Sequence, residues 1–347
     1  MTRVTADSDE ILTRVDNGVG ILTLNRPKAI NSLNQTMIDV LAERLREWAD
    51  DDAIRTVVVD GAGERGLCAG GDVVALYHSA RADGSAARKF WFDEYQVNAL
   101  IGSYPKPYVA LMDGIVMGGG VGIGSHGSVR VVTDTTKMAM PEVGIGFIPD
   151  VGGTDLLARA GALGLHAALT GAPFSGADAI ALGFADHFVA HDKLAEFTAE
   201  IIASDVDTAL AKYAQEPPAS QLAAQRHWID ECYQAPTVTD IVAALRGHDD
   251  AAANDAADVI AGRSPIALAV TLESVRRAAD LSSLEEILVQ EYRVSCASLR
   301  SHDFVEGIRA QLVDKDRNPK WNPSSLAQVT AEDVDAYFTP ADPDLTF

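Results

Sequence analysis

An α/β core followed by a helical C-terminal region is the fold class that this sequence predicts. Strand-turn-helix units repeat through roughly the first 190 residues. Residues 193–260 are then rich in Ala and charge, with long helical periods and almost no β-branched runs. The helical pattern continues over 265–312, with Leu268, Val270, Leu272 and Val275, then Leu284, Ile287 and Leu288. A chain of 347 residues is long for one compact core. The expected division is therefore 1–200 for the core with its site and 201–347 for an α-helical domain.

The elements follow from spacing and turn residues. Residues 11–24 alternate about Asn17-Gly18, the pairing favoured in tight hairpins, which predicts two antiparallel strands. From Asn34, Met37, Ile38, Leu41, Leu45 and Trp48 recur at helical spacing. Thr56-Val-Val-Val-Asp60 reads as a buried strand ending in a Gly-rich turn. Helices are predicted over 72–80, 86–104, 155–168 and 176–182, and strands over 108–112 and 129–133. An Ala/Asp-rich patch near 249–258 reads as a solvated helix face or loop.

Composition excludes several classes of partner. A formal charge of −22 repels nucleic acid and anionic membrane, although a local basic patch still suffices for an anionic small molecule. The apolar fraction of 47% and a mean hydropathy of +0.04 fit a soluble globular protein. Cys68, Cys232 and Cys296 are far apart and odd in number, with no CxxC and no Cys/His cluster at ligand spacing. That predicts a reducing cytoplasm and no structural metal. The first ten residues hold no apolar leader segment, and no run reaches the length of a membrane span.

Three features point to chemistry. Gly66-Leu-Cys-Ala-Gly70-Gly71-Asp72 and Met117-Gly118-Gly119-Gly120-Val-Gly122 are glycine turns that each follow a strand. Glycine lets a ligand approach bare backbone N–H groups, and two such turns converging on one carbonyl would make an oxyanion hole. Met138-Ala-Met-Pro-Glu142 through Pro149-Asp150-Val-Gly-Gly153 sets two carboxylates eight residues apart among Gly, Pro and apolar residues. Desolvation there disfavours the charged form and suits an acid to proton transfer or nucleophilic attack. Glu94 falls on the apolar stripe of Phe90, Val97 and Ile101, which places it at a helix edge or facing a polar pocket. Gly122-Ile-Gly124-Ser-His-Gly127 matches GxGxxG, but a strand at 129–133 follows too soon for the crossover helix that a dinucleotide site needs.

Together these motifs resemble the crotonase (enoyl-CoA hydratase/isomerase) superfamily. The likeness begins at Leu24-Asn-Arg-Pro-Lys-Ala-Ile-Asn-Ser-Leu-Asn34 and runs through Cys68–Asp72, Asp113–Gly120, Met140-Pro-Glu142 and Pro149–Gly153. Within it the chain is similar to the 3-hydroxyisobutyryl-CoA hydrolases. The marks are Gly119–Gly127, Glu142 with Asp150, Phe92-Asp-Glu94-Tyr, Ser301–Arg309 and Asp314–Trp321.

The resemblance implies a crotonase-like ββα spiral core and a CoA-thioester substrate, with coenzyme A part of that substrate and no other cofactor required. It implies that the N–H groups of Gly71 and Gly119 form the oxyanion hole and that Glu142 is the catalytic glutamate. Asp150 would be the second acid, Glu94 would hold the substrate's hydroxyl end, and Arg26 and Lys28 would meet CoA phosphates and adenine. It also implies hydrolysis of a short 3-hydroxyacyl-CoA in valine catabolism, with Glu142 as nucleophile through an anhydride or as general base on water. Family hydratases carry a glutamate where this chain has Gly122, so a water to be added across a double bond loses a holder. Hydratase or isomerase chemistry is the runner-up, because some isomerases carry an acid at the Asp150 position. A catalytically silent acyl-CoA binder is the alternative of another class. Relatives commonly form trimers through C-terminal helices, so a homo-oligomer stands beside a tail packed on its own core.

Overall fold

A computed structural model describes residues 9–347. Residues 1–8, on which the reading of the N-terminus mostly rests, lie outside them. The chain forms two compact units, each assembled from three stretches of sequence.

The first unit comprises Gly71 and the described residues before it, Gln96–Met138 and Phe174–Gln221. Its main sheet has seven strands in the order β1(Ile11–Asp16), β2(Val19–Leu24), β3(Thr56–Gly61), β4(Tyr108–Met112), β6(Val129–Val132), β9(His187–Val189) and β10(Ala214–Gln215). Asn17 and Gly18 take φ of +45° and +77° at the β1–β2 turn, as a tight hairpin requires. The inner pairs, from β2–β3 through β6–β9, are parallel. Parallel strands are covered on both faces, which is why Val57, Val58 and Val59 are all buried and read as an unbroken apolar run. Helix α1(Gln35–Asp50) follows β2; the Asn34 side chain caps it by accepting from Met37 N at 3.0 Å. Its predicted stripe is buried, and Trp48 lies so close to β2 that a Cβ on Gly20 would meet the indole at 2.5 Å. A smaller sheet orders β5(Ile115–Met117), β7(Lys137–Ala139) and β8(Phe174–Ser175).

The GxGxxG-like run lies in the short helix Gly119–Gly124 and the turn before β6. No crossover helix separates them, in keeping with the rejection of a dinucleotide site.

The second unit comprises Asp72–Tyr95, Ala139–Pro173 and Leu222–Phe347, and it is mostly helical. The helix predicted over 155–168 is two helices, Gly153–Arg159 and Ala162–Thr170, broken at Gly161 with φ +63°. The break folds one onto the other at backbone contact: a Cβ on Gly164 would sit 1.9 Å from Leu157 O. Helical propensity is satisfied on both sides of Gly161, so only the glycine marks the corner.

Long C-terminal helices, Pro265–Ala278, Leu284–Ser298 and His302–Ile308 among them, share this unit with the 72–95 and 139–173 stretches. Ile148, Ile266, Val270 and Val294 form one buried cluster, covered by Val329, Val334, Tyr337 and Phe338. Composition changes near residue 200 because only the two-residue strand β10 follows it. Packing instead groups the later helices with earlier segments.

The turn at Glu142–Ile145 seats against the His302–Ile308 helix at backbone distance. A Cβ on Gly146 would meet Asp303 O at 2.1 Å, and one on Gly307 would meet the Ile145 carbonyl carbon at 2.3 Å. Gly307→Ala therefore forces two backbones apart. The expected loss is about 1–3 kcal/mol, a Tm lowered by roughly 3–8 °C by calorimetry. Gly247→Ala, with open space around its Cβ, serves as the control and should leave Tm nearly unchanged. Equal Tm values for the two variants would count against this packing.

Candidate active site

Glu142 opens a 3-10 turn after Pro141, and its carbonyl accepts from Phe147 N at 3.0 Å. Asp150 precedes a left-handed corner at Val151 (φ +56°) and Gly152 (φ +78°), after which the Gly153–Arg159 helix begins. A β-branched residue in that region is strained by about 1–3 kcal/mol and persists only where its surroundings dictate it. Glu94 projects from the helix Ser85–Gly102. The acids are 2%, 6% and 6% exposed for Glu94, Glu142 and Asp150, and all three belong to the second unit.

Their hydrogen bonds differ. The Tyr95 hydroxyl donates to Asp150 Oδ2 at 2.8 Å. It also lies 2.9 Å from Ser295 Oγ; with its own proton committed to Asp150, it accepts from the serine. Glu94 Oε1 and Glu142 Oε2 are buried with no hydrogen-bond partner. Buried carboxyl oxygens are normally paired, so these two are candidates to meet something that binds.

Burial raises all of these acids. Desolvation lifts Glu94, with the Asp150 charge adding to it. Desolvation lifts Glu142 well above the usual carboxylate range, with the charges of Asp150 and Glu291 adding to it. Asp150 is raised to about 7 by burial, against the lowering effect of the Tyr95 hydroxyl.

A fourth carboxyl, Glu291 on the helix Leu284–Ser298, is fully buried. Gly152 N donates to it at 2.6 Å, Thr154 N at 3.0 Å and Thr154 Oγ1 at 2.6 Å. Burial pushes Glu291 up to about 8, against those three donors. Tyr95, Ser295 and Glu291 escaped the sequence reading. Glu291 and Ser295 sit on an otherwise ordinary amphipathic helix; the usable signal was two polar residues one turn apart among buried neighbours.

The glycine turns belong to the first unit. Leu33 N donates to Gly70 O at 2.8 Å, and Met117 N donates to Cys68 O at 3.0 Å, which ties the two turns to each other. Gly70 has φ +105°, and a Cβ there would lie 3.8 Å from Gly119 N. The two turns are thus adjacent. Asn31 braces this region: its amide donates to Ala62 O at 3.0 Å and Gly66 O at 3.1 Å.

The two expected CoA contacts part company. Arg26 donates to Ser32 O at 2.6 Å and pairs with Glu10 at 3.3 Å, so its guanidinium is engaged within the fold. Lys28 is exposed, and its ammonium has no partner among the described residues.

An α/β spiral with paired buried acids and glycine turns defines the class, and the chain belongs to the enoyl-CoA hydratase/isomerase family, whose model matches residues 19–338. Among particular proteins it is 41% identical over 345 residues to a mitochondrial 3-hydroxyisobutyryl-CoA hydrolase of Danio rerio, covering 96% of this chain and 90% of that one. A solved carnitinyl-CoA dehydratase from Mycobacterium thermoresistibile is 72% identical, with a TM-score of 0.96 over 98% of this chain and 99% of that one. A solved enoyl-CoA hydratase from Rhodobacter sphaeroides is 39% identical, with a TM-score of 0.92 over 97% and 100%. No helix among the described residues is long and apolar enough to cross a membrane.

The raised acids tie stability to pH. Each folded value lies above its unfolded value, so the native state holds protons that the unfolded chain releases. That stability is fully present below the unfolded carboxylate values and is lost as pH rises through about 7 for Asp150 and about 8 for Glu291, with Glu142 raised as well. Tm should therefore fall from about pH 6 to about pH 9, and Glu142→Gln should shrink that fall by a few degrees. A variant as steep as wild type in calorimetry would refute the account.

Proposed function

We propose that this protein hydrolyses a short 3-hydroxyacyl-CoA thioester, 3-hydroxyisobutyryl-CoA first, to 3-hydroxyisobutyrate and free coenzyme A, a step of valine catabolism. It is a CoA-thioester hydrolase. The observation that carries this reading is the buried Glu142/Asp150 pair, with Glu142 Oε2 lacking a partner, in a chain that has glycine at position 122. The relative from Danio rerio supports it.

The N–H groups of Gly71 and Gly119 are assigned to the thioester oxygen as it becomes negative; losing one such donor typically costs about 10²–10³ in rate. In the general-base route Glu142 takes a proton from water, the hydroxide adds to the carbonyl, and the tetrahedral species expels the CoA thiolate. In the nucleophilic route Glu142 itself displaces the thiolate as an acyl-glutamyl anhydride, which water then opens. Asp150 orients the attacking water or the substrate hydroxyl, and Glu94 holds the hydroxyl end. Lys28 is assigned to the CoA phosphates. The reaction as proposed needs no resident metal or redox group; coenzyme A arrives as part of the substrate. The three cysteines are buried and none is in a disulfide, which suits a reducing compartment, whether cytoplasm or mitochondrial matrix.

A dehydratase or hydratase is the second reading, favoured by the likeness to the 72% identical carnitinyl-CoA dehydratase. Incubation with 3-hydroxyisobutyryl-CoA should release free thiol, and Glu142→Ala should reduce that release by about 10³-fold or more. Crotonyl-CoA hydration, or dehydration of a 3-hydroxyacyl-CoA, without thiol release would favour the second reading; binding without turnover of any ester would leave only an acyl-CoA binder. Lys28→Glu should raise KM about 3–10-fold with kcat nearly unchanged.

A further inference from the structure

The Leu284–Ser298 helix reaches Asp150 by two routes. Ser295 holds the Tyr95 hydroxyl, which in turn holds the Asp150 carboxylate. One turn earlier, Glu291 gathers three donors from residues 152–154, the backbone that immediately follows Asp150. Between the clamp and the acid lies Val151, a β-branched residue at φ +56°, which needs an external constraint to stay there. Glu291 supplies it: as the carboxylate, its two oxygens accept all three bonds from residues 152–154. An apolar residue at 291 would leave three buried donors unpaired.

We propose that Glu291 is a positioning residue for the hydrolysis: it locks the left-handed turn after Asp150 and, once ionised, sets a buried charge against the acid pair. The kinetic part of this proposal rests on the hydrolase reading; the geometric and electrostatic parts do not. The titratable groups facing this interior are Glu94 and Tyr95 from the Ser85–Gly102 helix, Glu142 and Asp150 from the 142–152 segment, and Glu291 itself. No lysine, arginine or histidine among the described residues hydrogen-bonds to any of the four carboxyls, so like charges in this interior are not offset by a bonded cation. The charge of Glu291 makes Glu142 harder to ionise.

Glu291→Gln keeps the size, deletes the charge and sets an amide N–H against a backbone or hydroxyl donor. Two readouts test it. With 3-hydroxyisobutyryl-CoA, kcat should fall about 10–100-fold while KM stays within about threefold, as for groups that orient a reacting residue from behind. In ¹³C-glutamate-labelled protein, the Glu142 carboxyl, assigned by its loss in Glu142→Gln, should titrate about 0.5–1 pH unit lower in Glu291→Gln than in wild type. A purely structural clamp would not move that titration. Either readout left at its wild-type value in the folded variant overturns the proposal. If Glu291→Gln does not fold, Thr154→Val decides, since it removes one donor and keeps the charge: kcat should drop about 3–10-fold and return with Thr154→Ser, and a wild-type kcat in Thr154→Val overturns the proposal. Wild-type protein that releases no thiol from any 3-hydroxyacyl-CoA would sink the hydrolase reading, and the carboxyl titration would then decide the proposal alone.

Discussion

Four carboxyl groups held away from water with no bonded cation beside them form the constraint on which the second unit depends. Glu94, Glu142, Asp150 and Glu291 are each nearly or fully buried. Burying an ionised carboxylate without a partner costs several kcal/mol, and a fold tolerates it in only two ways. It can let the group keep its proton, as the raised values of all four indicate. It can also surround the group with donors, as Gly152 and Thr154 do for Glu291 and Tyr95 does for Asp150. Glu94 and Glu142 each keep one oxygen without a hydrogen-bond donor. Instability left in place at two acids marks a candidate site rather than a requirement of folding.

The same constraint accounts for the scaffolding. An acid that is costly to bury must be held firmly, or it will swing toward water. Glu142 is held by backbone pressed on backbone at Gly146 and Gly307, where no side chain fits. Asp150 is held differently, through a strained corner and a hydrogen-bonded chain from one distant helix. One acid is fixed by sterics and the other by polar contacts. A methyl group at residue 307 and a lost charge at residue 291 are therefore different perturbations of one interior.

Much of this was legible in the sequence where the signal is local. Asn17-Gly18, the stripe from Met37 to Trp48 and the valine run at 57–59 each carry their structure in adjacent residues, and each element formed where its pattern placed it. The broken helix at Gly161 was missed because propensity favours helix on both sides of it, and only packing of Gly164 on Leu157 demands the corner. The acids Glu142 and Asp150 stood out because Gly and Pro crowd them. Glu291 did not, because its partners are more than a hundred residues away and a glutamate on a helix is ordinary until its burial is known. Arg26 was legible as a cation but not as an engaged one, since Glu10 and Ser32 declare themselves only in three dimensions.

The division near residue 200 shows where composition misleads. A change from strands to helices looks like the end of a functional core and the start of an appendage. Yet the helix that carries Glu291 and Ser295 and the helix that carries Gly307 lie in that later region, and they pack in the same unit as Glu142 and Asp150. The earlier segment contributes the acids; the later one contributes what keeps them buried, aimed and partly protonated. An acid whose ionisation is governed by its surroundings has its chemistry distributed over every residue that makes those surroundings. The C-terminal helices are in that sense part of the acid pair.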